Sequence, residues 1–125
     1  MSTNLKKLYL VKNGYVDYEF QSIVQEYLLK SKSIRDNLEV LSFANNNISK
    51  IDFTQIISND MEIFRAMKEL DFRKNKLTKF RYNKTIFPSL NFINLCENNF
   101  IKENLEECDD VYFKKWKHVF NGFKI

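Results

Sequence analysis

Glycine, proline and histidine are scarce in this chain of 125 residues, which contains two glycines, one proline and one histidine. With so little glycine and proline there is no flexible linker, and we predict one domain over residues 1–125. The single histidine, His118, excludes histidine-based triads and multi-histidine metal sites. Glycine-rich phosphate loops, HExxH motifs and paired CxxC motifs do not occur. We therefore expect no enzymatic activity, metal, cofactor or small-molecule substrate.

Long apolar runs are also missing. No stretch reaches the roughly 18 apolar residues that a membrane-spanning helix needs. The apolar stretch near the N-terminus, residues 8–11, is too short for the core of a signal peptide. We therefore expect an intracellular protein, cytoplasmic or nuclear, that is not secreted and does not contact a membrane.

Aromatic and basic residues are abundant. Hydrophobic residues make up 44% of the chain and aromatic residues 15%, a composition that favours a packed fold over disorder. The net charge is +4, from 20 basic and 16 acidic residues. Sixteen of the basic residues are lysines, whose codons are AT-rich, so part of this charge reflects base composition. The net charge alone is weak evidence for a nucleic-acid partner.

An internal pattern occurs four times, in segments of residues 5–15, 38–48, 67–77 and 90–100. Each segment has apolar residues at positions 1, 4, 6 and 11 and an asparagine at position 9. These residues are Leu5, Leu8, Leu10, Asn13 and Tyr15; Leu38, Leu41, Phe43, Asn46 and Ile48; Met67, Leu70, Phe72, Asn75 and Leu77; and Leu90, Ile93, Leu95, Asn98 and Phe100. The starts are 33, 29 and 23 residues apart, which indicates a repeated structural unit.

Each position of the pattern has a physical explanation. Positions 4 and 6 lie on one face of a short strand, because strand side chains alternate. The asparagine at position 9 lies where the chain turns away, and its amide can bond backbone groups that no strand neighbour satisfies. One such unit cannot bury its apolar face, so several must stack.

The longer spacings between segments predict helices. Apolar residues in residues 18–30 follow the i, i+3, i+4 spacing of one helix face, namely Phe20, Ile23, Val24, Tyr27 and Leu28. Thr54 is a candidate cap for a second helix, which Asn59 and Asp60 would interrupt. Candidate core residues of that region are Ile56, Ile57, Ile63 and Phe64.

The four segments resemble the leucine-rich-repeat superfamily over about residues 5–125. Near the C-terminus, aromatic residues resemble the cap helix of intracellular members, over about residues 102–125: Tyr112, Trp116, Phe120 and Phe123. Members with this cap include spliceosomal, mRNA-export and phosphatase-regulatory proteins, which are non-catalytic binders. The resemblance implies an α/β solenoid of about four repeats, with parallel strands on the concave face, helices and turns on the convex side, and the cap helix at the end.

In this architecture the strand residues at positions 3, 5 and 7 would line a concave protein-binding face. The candidates are Tyr9, Val40, Ser42, Glu69, Asp71, Arg73, Phe92 and Asn94. Exposed aromatic anchors beside mixed charges suit a protein segment. The alternative is that the sheet simply tolerates these residues in contact with solvent.

Basic residues concentrate elsewhere, in residues 73–84 and in the predicted cap, while acidic residues concentrate in residues 97–110. The candidate phosphate contacts are Arg73, Lys74, Lys76, Lys79, Arg81, Lys84, Lys114, Lys115 and Lys117. We therefore expect a binding or structural subunit of a ribonucleoprotein, with the ribosome as one such assembly, that contacts RNA through basic loops and protein through the concave face. The alternative is a regulatory adaptor that binds one protein partner without RNA.

Overall fold

The computed structural model describes residues 4–57, 62–82 and 84–99 and shows a mixed α/β fold with parallel sheets. In chain order its elements are β1 (Lys7–Tyr9), α1 (Asp17–Ile23), a π-helical turn (Val24–Leu28), α2 (Lys32–Asn37), β2 (Val40–Ser42), β3 (Lys50–Asp52), α3 (Phe53–Ile56), β4 (Glu69–Asp71), β5 (Lys79–Arg81) and β6 (Phe92–Asn94).

Each of the four segments contributes one strand to a single parallel sheet, in the order β1-β2-β4-β6. The register aligns equivalent positions, so that Leu8, Leu41, Leu70 and Ile93 are neighbours across the sheet. The prediction of short parallel strands is therefore confirmed. A second parallel sheet pairs β3 with β5, and this sheet was not predicted. It forms because Ile51 and Phe80, which follow the second and third segments, both return to the core.

The core between these sheets is rich in phenylalanine. Phe43 and Phe72, both at position 6, stack with ring centroids 6.0 Å apart and planes 8° apart. Phe53, at the start of α3, is almost fully buried, and its ring contacts the rings of Phe20, Phe72, Phe80 and Phe87. Burying one such side chain contributes about 1.5–3 kcal/mol. Through Phe53, α3 packs against Phe72, which follows β4 of the first sheet, and against Phe80 in β5 of the second sheet.

The predicted first helix exists, but one of its core residues was assigned wrongly. Phe20, Val24 and Leu28 are buried, whereas Tyr27 is 68% exposed. The reason is the π-helical turn, in which the Leu29 N–H donates to the Val24 carbonyl, five residues back, at 2.9 Å. The wider turn keeps residues four apart on the buried face and turns Tyr27 toward solvent.

The predicted cap of the second helix is also wrong. The residue before α3 is Asp52, and its carboxylate accepts a hydrogen bond from the Thr54 N–H at 3.0 Å. Ile56, Ile57 and Phe64 are buried as predicted, and Ile63 is half-buried.

Several predictions lie outside the described residues. These concern Asn59, Asp60, Phe100, the cap over residues 102–125, and the basic residues Lys114, Lys115 and Lys117. Within the part of the chain that the structure describes, no helix is long and apolar enough to cross a membrane.

Candidate binding surfaces

The asparagines at position 9 connect each segment to the one before it. The Asn75 side-chain amide donates to the carbonyls of Phe72 at 3.0 Å, in its own segment, and Phe43 at 2.9 Å, in the preceding one. Its Oδ1 accepts from the Ile48 N–H at 3.1 Å. Asn75 is buried, so these bonds satisfy backbone groups that water does not reach.

Two other asparagines repeat this arrangement. The Asn46 amide donates to the carbonyls of Phe43 and Leu10, each at 2.9 Å, and the Asn98 amide donates to those of Leu95 and Phe72 at 3.1 and 3.0 Å. Asn13, in the first segment, is exposed. The structure therefore places Asn46, Asn75 and Asn98 in one ladder, and Asn13 at its open end.

A backbone feature that the sequence pattern did not predict recurs at position 8. Lys12, Asn45, Lys74 and Glu97 all have positive φ angles, between 57° and 61°. This left-handed conformation is unusual for lysine and glutamate, because their Cβ approaches the following carbonyl oxygen. Four equivalent residues in one rare conformation show that the four turns share one backbone shape. This conformation could not be predicted from the sequence, since no glycine occupies position 8.

Position 3 forms a continuous row across the four-stranded sheet, and Phe92 at one end of the row also packs against the core. The register places Lys7, Val40, Glu69 and Phe92 side by side. Lys7 is exposed, and the other three are half-buried. We call this surface, together with Tyr9, the sheet face. Val40 lies between Lys7 and Glu69, and Phe92 lies on the other side of Glu69.

Position 5 differs from the prediction, which placed its residues on an exposed face. Tyr9 is 59% exposed, but Ser42 and Asp71 are 1% and 7% exposed and Asn94 is half-buried. The Ser42 hydroxyl donates to the Asp71 carboxylate at 3.2 Å. The Asp71 carboxylate also accepts a hydrogen bond from the backbone N–H of Arg73, two residues ahead, at 3.2 Å. Ser42 and Asp71 therefore stabilise the turns and are not available to a partner.

Charged residues at position 2 form a second row beside the sheet face. Glu39 lies between Lys6, at 3.6 Å, and Lys68, at 3.7 Å. A further carboxylate, Asp36, pairs with Lys32 at 2.6 Å and Arg65 at 2.9 Å. The hydrogen bond from Lys32 is the main cause that lowers the pKa of Asp36, and the bond from Arg65 adds to it. The row of Lys6, Glu39 and Lys68 could have been found in the sequence by aligning position 2 of the four segments.

The predicted basic segment, residues 73–84, does not form one surface. Arg73 follows β4 and lies 3.4 Å from Asp71, whereas Arg81 is in β5 and lies 4.0 Å from Asp52. Between them the chain passes from one sheet to the other. Lys74, Lys76 and Lys79 are exposed along this path, and Lys84, which follows β5, is exposed as well. The structure therefore divides the predicted phosphate contacts between the turns and the second sheet.

Two lysines do come together on the second sheet. Lys50 and Lys79 are register partners in β3 and β5, and both are exposed. Adjacent strands lie about 4.8 Å apart, so the two lysine side chains start from neighbouring backbone positions. Two lysines at adjacent positions of one strand pair are a candidate contact for phosphate groups.

A hollow of about 190 Å³ lies beside Lys50. Its lining includes Asp17, Gln21, Lys50, Asp52 and Gln55. Asp17 already has structural partners, because its carboxylate accepts from the Ser49 N–H at 2.6 Å and the Ser49 hydroxyl at 2.7 Å. Among the described residues, no group of three or more histidine, cysteine or acidic side chains could hold a metal ion.

Comparisons with protein-family models, curated proteins and solved structures found no match.

Proposed function

We propose that the chain is a short leucine-rich-repeat solenoid that serves as a non-catalytic binding module, with a protein segment as its partner. The repeat assignment is supported by the asparagine ladder and by the four turns that share one conformation. In such a solenoid the four-stranded sheet is the concave side, and the sheet face is the surface that a partner contacts.

The observation that carries the binding function is the row formed by Lys7, Val40, Glu69 and Phe92, with Tyr9 beside it. Val40 and Phe92 are half-buried, Tyr9 is 59% exposed, and one lysine and one glutamate lie in the same row. Protein interfaces typically have aromatic anchors surrounded by polar residues, and a few anchors supply most of the binding energy. A partner segment that carries both apolar and charged side chains fits this face.

The test is affinity purification of the tagged full chain from its native cells. The double variant Tyr9→Ala and Phe92→Ala removes two anchors of the sheet face. The matched control is Tyr18→Ala, because Tyr18 is 74% exposed and lies on α1. Loss of an anchor costs about 2 kcal/mol or more, so we expect the double variant to lose the partner at least tenfold while the control retains it. Equal recovery with both variants would refute binding at the sheet face.

A second candidate is RNA binding, which would make the chain a subunit of a ribonucleoprotein. The adjacent charges of Lys50 and Lys79 support it, as do the exposed Lys74 and Lys76 in the neighbouring turn. Cations that contact phosphates release counterions, so RNA would dissociate steeply as the salt concentration rises.

The same purification distinguishes the two candidates. RNA that is released by high salt, and that is lost from the Lys50→Glu and Lys79→Glu double variant, would favour the ribonucleoprotein. Lys30→Glu is the matched control, because Lys30 is exposed and lies after the π-helical turn. A protein partner that survives nuclease treatment and is insensitive to the double charge reversal would favour the adaptor.

A further inference from the structure

Within the described residues, the first strand, β1, has a neighbouring strand on one edge only. It is the outermost strand of the sheet, and its only neighbour among the described residues is β2. The Lys6 carbonyl and the N–H groups of Leu10 and Lys12 bond to the second segment. Because successive residues of a strand point their backbone groups to alternate sides, Lys7, Tyr9 and Val11 direct theirs to the open side. Such groups form a template for another strand.

The apolar layer is also incomplete at this edge. Positions 4 and 6 are buried in the second, third and fourth segments, as Leu41, Leu70 and Ile93 show, whereas Leu8 and Leu10 of the first segment are only half-buried. Leu5, Tyr9 and Val11 are three of the five large hydrophobic side chains that are exposed in the described part of the chain. A strand added beside β1 would cover the outer sides of Leu8 and Leu10.

The positive charge of this edge indicates which kind of strand would bind beside β1. Residues 4–14 contain three lysines and no acidic residue, and Lys6, Lys7 and Lys12 are all exposed. Lysines on an edge strand disfavour pairing with a second copy of the same edge, because like charges repel. They favour a strand that carries carboxylates.

We propose that the open edge of β1 binds an extended segment of a partner protein in which apolar and acidic residues alternate, and that this segment adds as a fifth strand. Its apolar side chains lie over Leu8 and Leu10, and its carboxylates lie on the opposite face, beside Lys7. The backbone hydrogen bonds form with Lys7, Tyr9 and Val11. The site uses the backbone of Lys7 and Tyr9, whose side chains belong to the sheet face, but the inference does not rest on the proposed function.

The first test measures binding of a fluorescent synthetic peptide to the full chain by anisotropy. The probe is a seven-residue peptide that alternates glutamate with valine or leucine, and its control replaces each glutamate with lysine. We expect the acidic peptide to bind at least tenfold more tightly, with an advantage that shrinks in high salt. Equal affinity for both peptides, or no binding of the acidic one, would overturn the proposal.

The second test asks whether the contact is made through backbone hydrogen bonds. Tyr9→Pro removes an N–H group on the open side and leaves the bonds to β2 in place, as proline is tolerated on such an edge. We expect at least a tenfold loss of affinity, compared with a smaller loss for Tyr9→Ala. Equal affinities of the two variants would contradict strand addition.

Peptides with altered backbones test the same backbone hydrogen bonds without a substitution in the protein. One version is N-methylated at the apolar residues and another at the glutamates. An added strand uses only alternate amides toward β1, so we expect one version to lose binding and the other to retain it. If both versions bind equally, the peptide does not add to the sheet.

If sedimentation shows instead that the chain alone dimerises, and Tyr9→Pro abolishes the dimer, a second copy occupies the edge and the proposal is wrong.

Discussion

At the scale of single residues, the asparagines of position 9 perform the most demanding structural task. Asn75 bonds to four backbone groups, the carbonyls of Phe43, Phe72 and Arg73 and the N–H of Ile48. The short amide provides two donors and one acceptor at the place where the chain leaves the sheet. An apolar residue there would leave several buried backbone groups without partners, each at a cost of about 1–3 kcal/mol.

We therefore expect Asn75→Ala to lower the free energy of unfolding by about 3 kcal/mol or more. Asn47→Ala is the control, because Asn47 is exposed and takes part in the structure through its backbone N–H, which donates to the Tyr15 carbonyl. The control should lie within about 0.5 kcal/mol of the wild type. Urea unfolding followed by circular dichroism measures both values, and similar losses in the two variants would contradict the ladder's role.

For a residue in a left-handed turn we predict a substitution that raises the free energy of unfolding. Lys74 has a φ of 57°, a conformation that costs a residue with a Cβ about 1–2 kcal/mol, whereas glycine adopts it freely. After the entropy that glycine adds to the unfolded chain, Lys74→Gly should stabilise the protein by about 0.5–1 kcal/mol.

The matched change Lys76→Gly, which removes the same charge two residues away, should destabilise the protein. The comparison uses the same urea titration. If Lys74→Gly were as destabilising as Lys76→Gly, the turn would not have the backbone shape described above.

At the scale of elements, the first helix shows where the sequence was informative and where it was not. The apolar spacing predicted a helix and its buried residues Phe20, Val24 and Leu28 correctly. It also assigned Tyr27 to the core, because an ideal helix places residues three and four apart on the same face. A π-helical turn changes this geometry, and its presence depends on how the helix packs against the later segments, which the local pattern does not contain.

This difference predicts unequal effects for two adjacent residues. Leu28→Ala should lower the free energy of unfolding by about 2–5 kcal/mol, because Leu28 is 3% exposed. Tyr27→Ala should change it by less than about 0.5 kcal/mol. Thermal or urea unfolding of the two variants measures these changes. A large loss in the free energy of unfolding for Tyr27→Ala would indicate a regular α-helix with Tyr27 in the core.

The ion pairs of Asp36 predict how the junction between α2 and β4 responds to pH. Its partners lower its pKa in the folded state, so the folded chain binds this proton more weakly than the unfolded chain. The stabilisation is therefore complete above the ordinary carboxyl pKa of about 3.9 and is lost as the pH falls through the lower folded value.

Asp36→Asn removes this contribution. The difference in free energy of unfolding between wild type and Asp36→Asn should be measurable at neutral pH and low salt, and it should vanish in strong acid. A difference that persists unchanged as the pH falls through the folded and unfolded pKa values of Asp36 would show that the ion pairs are not its source.

At the scale of the whole molecule, the sequence predicted more of the framework than of the surface. The recurring apolar and asparagine positions predicted four short strands, and the structure has them in one parallel sheet. The burial of Ser42 and Asp71 was not predictable from alternation alone, because it arises when they bond to each other and to their turns. The second sheet and the separation of the basic residues depend in the same way on contacts between distant segments.

The central claim is that a protein partner contacts the sheet face, and site-specific photo-crosslinking in native cells tests it most directly. A photoreactive phenylalanine derivative replaces Phe92 on the sheet face, Tyr18 on α1 or Lys79 on the second sheet in three separate full-length variants. We expect one discrete crosslinked protein from position 92 and no crosslink from position 18. Crosslinks to RNA from position 79, together with none from position 92, would contradict the claim.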